Sequence, residues 1–255
     1  MESVNVILRL QNLTKEFGGL MAVNDVSLKF KKEEISAIIG PNGAGKTTIL
    51  NVITGIFSPT SGKVYFQEND ISGLKPFDIA YLGITRSFQN VQIFRNMTVL
   101  ENVMVGFHPK TNSEFIACLL NLPKVKWEEK YTMDRADEVL EFVKLADKAN
   151  SLSSSLVFWE QKRLEIARAL AGDPKVILMD EPVTGLNAKE TDEISQLIIN
   201  IKEKGITIIL VEHNMRLVME ISDKINVLNY GKKIAEGIPR DIQKNEDVVR
   251  AYLGG

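Results

Sequence analysis

Ile35-Ser36-Ala37-Ile38-Ile39-Gly40-Pro41-Asn42-Gly43-Ala44-Gly45-Lys46-Thr47-Thr48 is the stretch that decides the fold. A short apolar run ends in a glycine-rich turn, after which Ile49, Leu50, Val52 and Ile53 carry a helix-like pattern. The order is strand, loop, helix. Gly40 through Thr47 fits G-x-x-x-x-G-K-[ST]. In that motif glycines let backbone N–H groups curl around phosphates, and the N-terminus of the following helix attracts negative charge. Lys46 is expected to reach the β and γ phosphates of a nucleoside triphosphate, and the Thr47 hydroxyl to meet Mg²⁺. The nucleotide-binding candidates are therefore Gly40, Pro41, Asn42, Gly43, Ala44, Gly45, Lys46, Thr47 and Thr48.

Upstream, Val26, Leu28 and Phe30 alternate with Ser27 and Lys29, the period of a half-buried strand, and residues 7–10 make a plausible companion. Downstream, the strand-then-polar layout recurs twice. Residues 176–179 stop at Asp180 and Glu181, and residues 206–211 stop at Glu212 and His213. Ligand crevices of open parallel sheets lie beyond the carboxyl ends of the strands, so Lys46, Asp180, Glu181 and His213 are expected at one edge. An acid pair there is costly to bury unpaired but sensible if Asp180 meets Mg²⁺ and Glu181 polarises water. Capping of a following helix is the plainer use of such acids. A lone histidine is more often structural, and only its position after the third strand singles out His213. His108, beside Pro109, is assigned no role.

Between the first and second of these strands, Ala136, Val139, Leu140 and Val143 fall at i, i+3, i+4 and i+7, which predicts an inserted helical subdomain. Residues 108–131 mix Pro, Asn and Lys with apolar residues as a loop-rich insertion does, residues 151–155 read as a polar connector, and 229–237 as a hairpin turning at Tyr230-Gly231. The 255 residues suit one elaborated α/β domain, and 31 basic against 33 acidic residues leave a net charge of −2, no excess for a nucleic-acid backbone. The single Cys118, among apolar neighbours, reads as packing in a reducing compartment. No stretch is long enough to cross a bilayer and the N-terminus does not read as a secretory signal, so work at a membrane would require docking there.

Taken together, these landmarks resemble the nucleotide-binding subunit of ABC transporters over essentially the whole chain. Phe17 stands at the family's adenine-stacking aromatic. Gln89, in Arg86-Ser87-Phe88-Gln89-Asn90, stands at the Q-loop glutamine that touches Mg²⁺ and senses the membrane subunit. Gly185-Leu186-Asn187 matches the D-loop and His213 the switch histidine. Phe17-Gly18-Gly19, Gly83-Ile84-Thr85-Arg86, Met97-Thr98-Val99-Leu100-Glu101-Asn102 and the ending Ala251-Tyr252-Leu253-Gly254-Gly255 are most similar to the ATPases of branched-chain amino acid importers. The implied fold is α/β. It comprises a P-loop NTPase core with a mainly parallel sheet, an N-terminal antiparallel β subdomain and a helical subdomain at about 90–170, all within one nucleotide-binding domain spanning 1–255.

The resemblance also implies a mechanism and partners. Two such subunits sandwich two ATP molecules, each held by the P-loop of one and a signature segment of the other. Glu181, His213, Gln89 and Lys46 would be catalytic, with Thr47, Gln89 and Asp180 at the metal. The subunit would sit peripherally on the cytoplasmic face of the membrane, with a second ABC ATPase subunit, two transmembrane permease subunits and, indirectly, a solute-binding protein. One segment departs from the pattern. Leu156-Val157-Phe158-Trp159-Glu160 occupies the signature position, where the family has serine second and glycine fourth, while Gln161-Lys162-Arg163 continues normally. Aligning Leu152-Ser153-Ser154-Ser155 instead leaves four extra residues before the helix. Val157 supplies no hydroxyl, and Trp159 adds a ring where phosphate and backbone approach closely. Such a defect harms the site built on the partner's P-loop and not the one built on Lys46, so an asymmetric heterodimer is expected. The alternatives are another ABC system or a poorly hydrolysing regulatory partner.

Overall fold

The structure, a computed structural model, describes residues 5–87, 92–107 and 123–253. The chain divides into two units, one of Met1–Arg86 with Lys175–Gly255 and one of Ser87–Pro174. Gln89, His108, Cys118, Gly254 and Gly255 lie outside the described residues.

The strands are β1 (Val6–Phe17), β2 (Leu20–Lys31), β3 (Ile35–Ile39), β4 (Ser61–Phe66), β5 (Asn69–Asp70), β6 (Ile84–Ser87), β7 (Val176–Asp180), β8 (Thr207–Val211), β9 (Lys224–Asn229) and β10 (Lys232–Gly237). One sheet is antiparallel with order β2-β1-β4-β5. Along β2, Val26, Leu28 and Phe30 are buried while Ser27 and Lys29 are exposed, so the alternation in the sequence is the alternation of the pleat. The other sheet has order β10-β9-β3-β8-β7-β6. Its centre is parallel: β3 pairs with β8 and β9, and β8 with β7. Every residue of β3, β7 and β8 is buried, as expected for parallel strands covered on both faces. At the sheet edge β10 returns antiparallel to β9 through Tyr230 (φ 45°) and Gly231 (φ 74°), the two positive φ values of a tight hairpin turn.

The helix that follows β3, Lys46–Ile53, is clamped between the two sheets. Its Ile49, Leu50 and Ile53 share one core with Leu8, Leu10 and Phe30 of the first sheet and Ile38, Leu178 and Ile209 of the second. The opposite face of β3 carries Ala37 and Ile39 into a smaller cluster. Val218 of the helix Met215–Ile221, Ile225 and Val227 of β9, Ile242 and Val248 complete it. The alternation along β3 thus fixes both layers at once, and the loop after Ile39 leaves the sheet from a strand buried along its whole length.

In the second unit, helices Val99–Val105, Pro123–Phe142 and Phe158–Ala171 pack together. Thr98 opens the first with a capping box: its hydroxyl accepts from the Glu101 N–H at 3.1 Å and the Glu101 carboxylate accepts from the Thr98 N–H at 2.7 Å. Fully buried Asn102 is satisfied by Phe94 and by the Thr98 carbonyl. Ala136, Leu140 and Val143 form the buried stripe that the spacing predicted. Residues 123–131 differ from expectation, because they are helix and not loop. Pro123 is tolerated in a first turn, and the Lys and Glu residues after it are good helix formers. Among the described residues no helix is long and apolar enough to cross a membrane.

Gly40 follows β3 directly beside β9, and a Cβ there would lie 2.1 Å from the Leu228 carbonyl oxygen. Backbone cannot yield as a flexible side chain does. Gly40→Ala is expected to cost about 2 kcal/mol, lowering the melting temperature in calorimetry by roughly 4–8 °C. A shift under about 1 °C would contradict the close approach.

Candidate nucleotide-binding site

The loop 40–45 is held from three sides. A Cβ on Gly45 (φ 99°) would lie 2.5 Å from the Ala22 carbonyl of β2, so strand and loop touch backbone to backbone. At the hairpin turn, the Gly231 N–H donates to the Ala44 carbonyl at 3.2 Å, while the Asn24 N–H of β2 donates to the Gly231 carbonyl at 2.8 Å. At the helix end, the Ile49 N–H donates to the Gly45 carbonyl at 3.0 Å, and the residues before it present N–H groups that an α-helix leaves unsatisfied at its start. Pro41, Asn42, Gly43 and Ala44 complete the turn, and Thr47 and Thr48 lie in the helix's first turn.

Buried Lys46 donates from Nζ to the carbonyls of Gly40 at 2.8 Å and Pro41 at 3.0 Å, which folds its side chain back over the loop. Burial pushes its ammonium pKa down, and the carboxylates of Glu181 and Asp180 push it back up. Lys46 therefore shares an electrostatic neighbourhood with both acids.

Asp180 ends β7 and is 1% exposed. Its Oδ2 accepts from Arg86 Nη2 at 2.6 Å, and the same guanidinium donates from Nη1 to Asn51 Oδ1 at 2.6 Å. Its Oδ1 is buried with no hydrogen-bond partner among the described residues. Removing one member of a buried pair of this kind leaves an uncompensated charge, a loss of about 3–5 kcal/mol. A carboxylate with one anchored and one unsatisfied oxygen, near an ammonium and beside a Thr-bearing helix start, suits a hard cation that takes few protein ligands.

Glu181 follows with φ 51°, a left-handed conformation that costs free energy in a non-glycine residue and tends to mark functional positions. Its N–H donates to the Val211 carbonyl at 2.8 Å. Its Oε2 accepts from the Thr184 hydroxyl at 3.1 Å, and its Oε1 lies 3.3 Å from His213 Nε2. β7 and β8 are neighbours with Asp180 opposite Val211, so residues one and two places past those strands are brought together by pairing alone.

Glu212, whose sequence position suggests only the polar end of a strand, is a brace of this edge. Buried to 2% exposure, it accepts from the Val183 N–H at 3.1 Å through Oε1 and from the N–H groups of His213 at 2.8 Å and Asn214 at 3.1 Å through Oε2. An acid directly after a buried strand was the available signal. Arg86 and Asn51 were missed for a different reason, since their roles depend on contacts across 94 and 35 residues. Asn187 caps the helix Ala188–Glu203 through a capping box with Glu190, both bonds at 3.0 Å, which fixes the end of Gly185-Leu186-Asn187.

Phe17 ends β1 half-exposed, with its ring edge-on to Phe57 at 5.1 Å and Lys15 over it at 4.8 Å. In the second unit, Val157 is the N-cap of the helix Phe158–Ala171 and provides no side-chain cap, while Glu160 reaches back to its N–H at 3.3 Å. Leu156 is buried, Val157 and Phe158 are exposed, and Trp159 stacks under the Arg163 guanidinium at 4.5 Å. Ser153 lies before that helix, buried and bonded to the Phe94 carbonyl at 2.9 Å, so Leu156-Val157 and not Leu152-Ser153 stands at the helix start.

A phosphate-cradling loop between a buried parallel strand and a helix, with two acids and a histidine on the adjoining strand ends, defines a P-loop nucleotide-binding protein. Comparison narrows the class. The ABC transporter family profile matches residues 23–184, and a profile described as branched-chain amino acid ATP-binding cassette transporter matches residues 232–255. The chain belongs to the ABC transporter family and is its ATP-binding, ATP-hydrolysing cassette. The high-affinity branched-chain amino acid transport ATP-binding protein BraF of Pseudomonas aeruginosa is 44% identical, over 97% of this chain and 98% of its own. Its counterpart LivG of Escherichia coli is 43% identical over the same shares. The ADP conformation of an ATP-binding cassette of an ABC transporter superimposes with a TM-score of 0.86 at 35% identity, covering 98% of this chain and 99% of that one.

Glu212→Ala would leave the amides of Val183, His213 and Asn214 without their acceptor. We expect a stability loss of about 2–4 kcal/mol in denaturant unfolding. ATP turnover should fall while nucleotide affinity stays within a few-fold. Wild-type stability would show that the brace is not needed.

Proposed function

We propose that this chain is an ATPase subunit of a branched-chain amino acid importer. It would work at the cytoplasmic side of the membrane on two permease subunits and, indirectly, with a solute-binding protein. The convergence of Lys46, Asp180, Glu181 and His213 at adjoining strand ends carries the ATPase part of this reading. The identity of 43–44% to transporter subunits named for branched-chain amino acids supports the solute and weighs against another ABC system. The whole chain reads as one nucleotide-binding domain, with its second unit as the inserted helical subdomain.

In this reading the backbone N–H groups of 42–48 bind the β and γ phosphates and Lys46 exchanges its loop carbonyls for phosphate oxygens. Phe17 stacks on the adenine. Thr47, Asp180 and Gln89 hold Mg²⁺, which when bound neutralises charge on the phosphates. Glu181 orients the attacking water, with its carboxylate aimed by His213 and Thr184.

Val157 and Trp159 supply the reason to favour a heterodimer. A signature serine and glycine would face the partner's γ phosphate, and this chain offers neither. The complete site is then the one on Lys46, closed by the signature of a related second ATPase subunit, and the other holds ATP with little turnover.

Turnover of the chain alone, of the chain with its related partner subunit, and of Val157→Ser/Trp159→Gly tests this arrangement. The chain alone should be nearly inactive and the pair active, and the double substitution should raise turnover of the pair by up to about twofold as the second site engages. Brisk hydrolysis by the wild-type chain alone would sink the asymmetric arrangement. In the pair, Glu181→Gln should lower kcat about 10²–10⁴-fold with ATP still bound, and unchanged kcat would remove Glu181 from the chemistry.

A further inference from the structure

Arg86 has no part in the phosphate motif, yet it is the side chain that joins the strand ends to the phosphate-loop helix. It comes from β6, beside β7 in the sheet, and its planar fork reaches in two directions, Nη2 to Asp180 Oδ2 and Nη1 to Asn51 Oδ1, each at 2.6 Å. The pair is deeply buried, with side-chain exposures of 6% for Arg86 and 2% for Asp180. Asn51 stands four residues after Thr47 in the helix Lys46–Ile53, so the two share a helix face, one turn apart.

We propose that Arg86 is the positioning residue of the divalent-cation site: it anchors Asp180 through Oδ2 and ties it to Asn51, so that only Oδ1 faces the cation, in register with the Thr47 hydroxyl. This rests on the reading of Thr47 and Asp180 as cation ligands. The buried Oδ1 without a protein hydrogen bond among the described residues is the oxygen left for that purpose. Two consequences follow from the geometry. The carboxylate cannot turn to offer both oxygens, which suits a small cation that keeps most of its waters. The distance between the strand end and the helix start is also set before the cation arrives, because one rigid guanidinium spans both. A lysine has the charge but a single point of contact, so it cannot hold Asp180 and Asn51 together.

The test is Mg²⁺-dependent binding of a fluorescent ADP to the full chain, titrated from an EDTA background, with Mn²⁺ binding followed by electron paramagnetic resonance. Arg86→Lys should raise the Mg²⁺ and Mn²⁺ concentrations for half-saturation about tenfold or more, the usual effect of losing a residue that orients a metal ligand. Asn51→Ala should move them in the same direction. ADP binding in EDTA should be unchanged in both. If Arg86→Lys does not fold, Asn51→Ala carries the test alone. A folded variant whose cation requirement stays within twofold of wild type overturns the positioning role, as does one that loses ADP affinity equally with and without cation. Asp180→Asn separates the two levels. Its loss of the cation response alongside wild-type responses in Arg86→Lys and Asn51→Ala overturns the positioning role alone, and a wild-type response in Asp180→Asn overturns the cation assignment beneath it.

Discussion

Everything in the first unit depends on a curl of backbone that must present N–H groups to an anion without side chains in the way. Such a loop has little intrinsic reason to hold its shape, since its own polar groups would rather bond water. Here it is clamped by neighbours that are themselves immovable. The β2 backbone lies against Gly45, the Leu228 carbonyl lies against Gly40, and the β9–β10 turn bonds Ala44. The core beneath the loop, where the helix Lys46–Ile53 is buried between the two sheets, keeps the helix start pointed at the same place. Preorganisation of this kind is what makes a weak donor array into an anion site.

The acids obey the same logic. Asp180 and Glu181 are consecutive, yet their environments differ. Asp180 is buried and anchored by Arg86, whereas Glu181 is partly open, in a left-handed backbone conformation, and held by Thr184 and His213. The backbone turn between them sends one side chain toward the helix and the other toward the β8 end. Glu212 then locks the two connecting loops to each other through three amides. The edge is built from strand register, so a shift of one residue between β7 and β8 would dismantle it.

Much of this was legible in the sequence because it is local. The strand-loop-helix at 35–53, the apolar runs that stop at acids, the alternation in β2 and the Tyr230-Gly231 turn each follow from a few adjacent residues. What escaped was tertiary. The Arg86–Asn51–Asp180 link joins three separate elements, Glu212 looked like the end of a strand, and the Gly231 contact to Ala44 unites residues with no sequence relation. The segment 123–131 was misread because its Pro and polar residues suit a loop and a helix start equally. The family register puts Leu156-Val157-Phe158-Trp159-Glu160 at the signature, and the helix Phe158–Ala171 begins within that segment. The reading of Gln89 lies outside the described residues.

A grip on the β and γ phosphates through a preorganised loop is read out by equilibrium binding of ATP, ADP and AMP to the purified chain in the presence of Mg²⁺. ATP and ADP should bind within about tenfold of each other and AMP should be weaker by a hundredfold or more, since AMP keeps the adenine but lacks the phosphates that the loop, Lys46 and Thr47 would hold. AMP affinity comparable to that of ATP would contradict it.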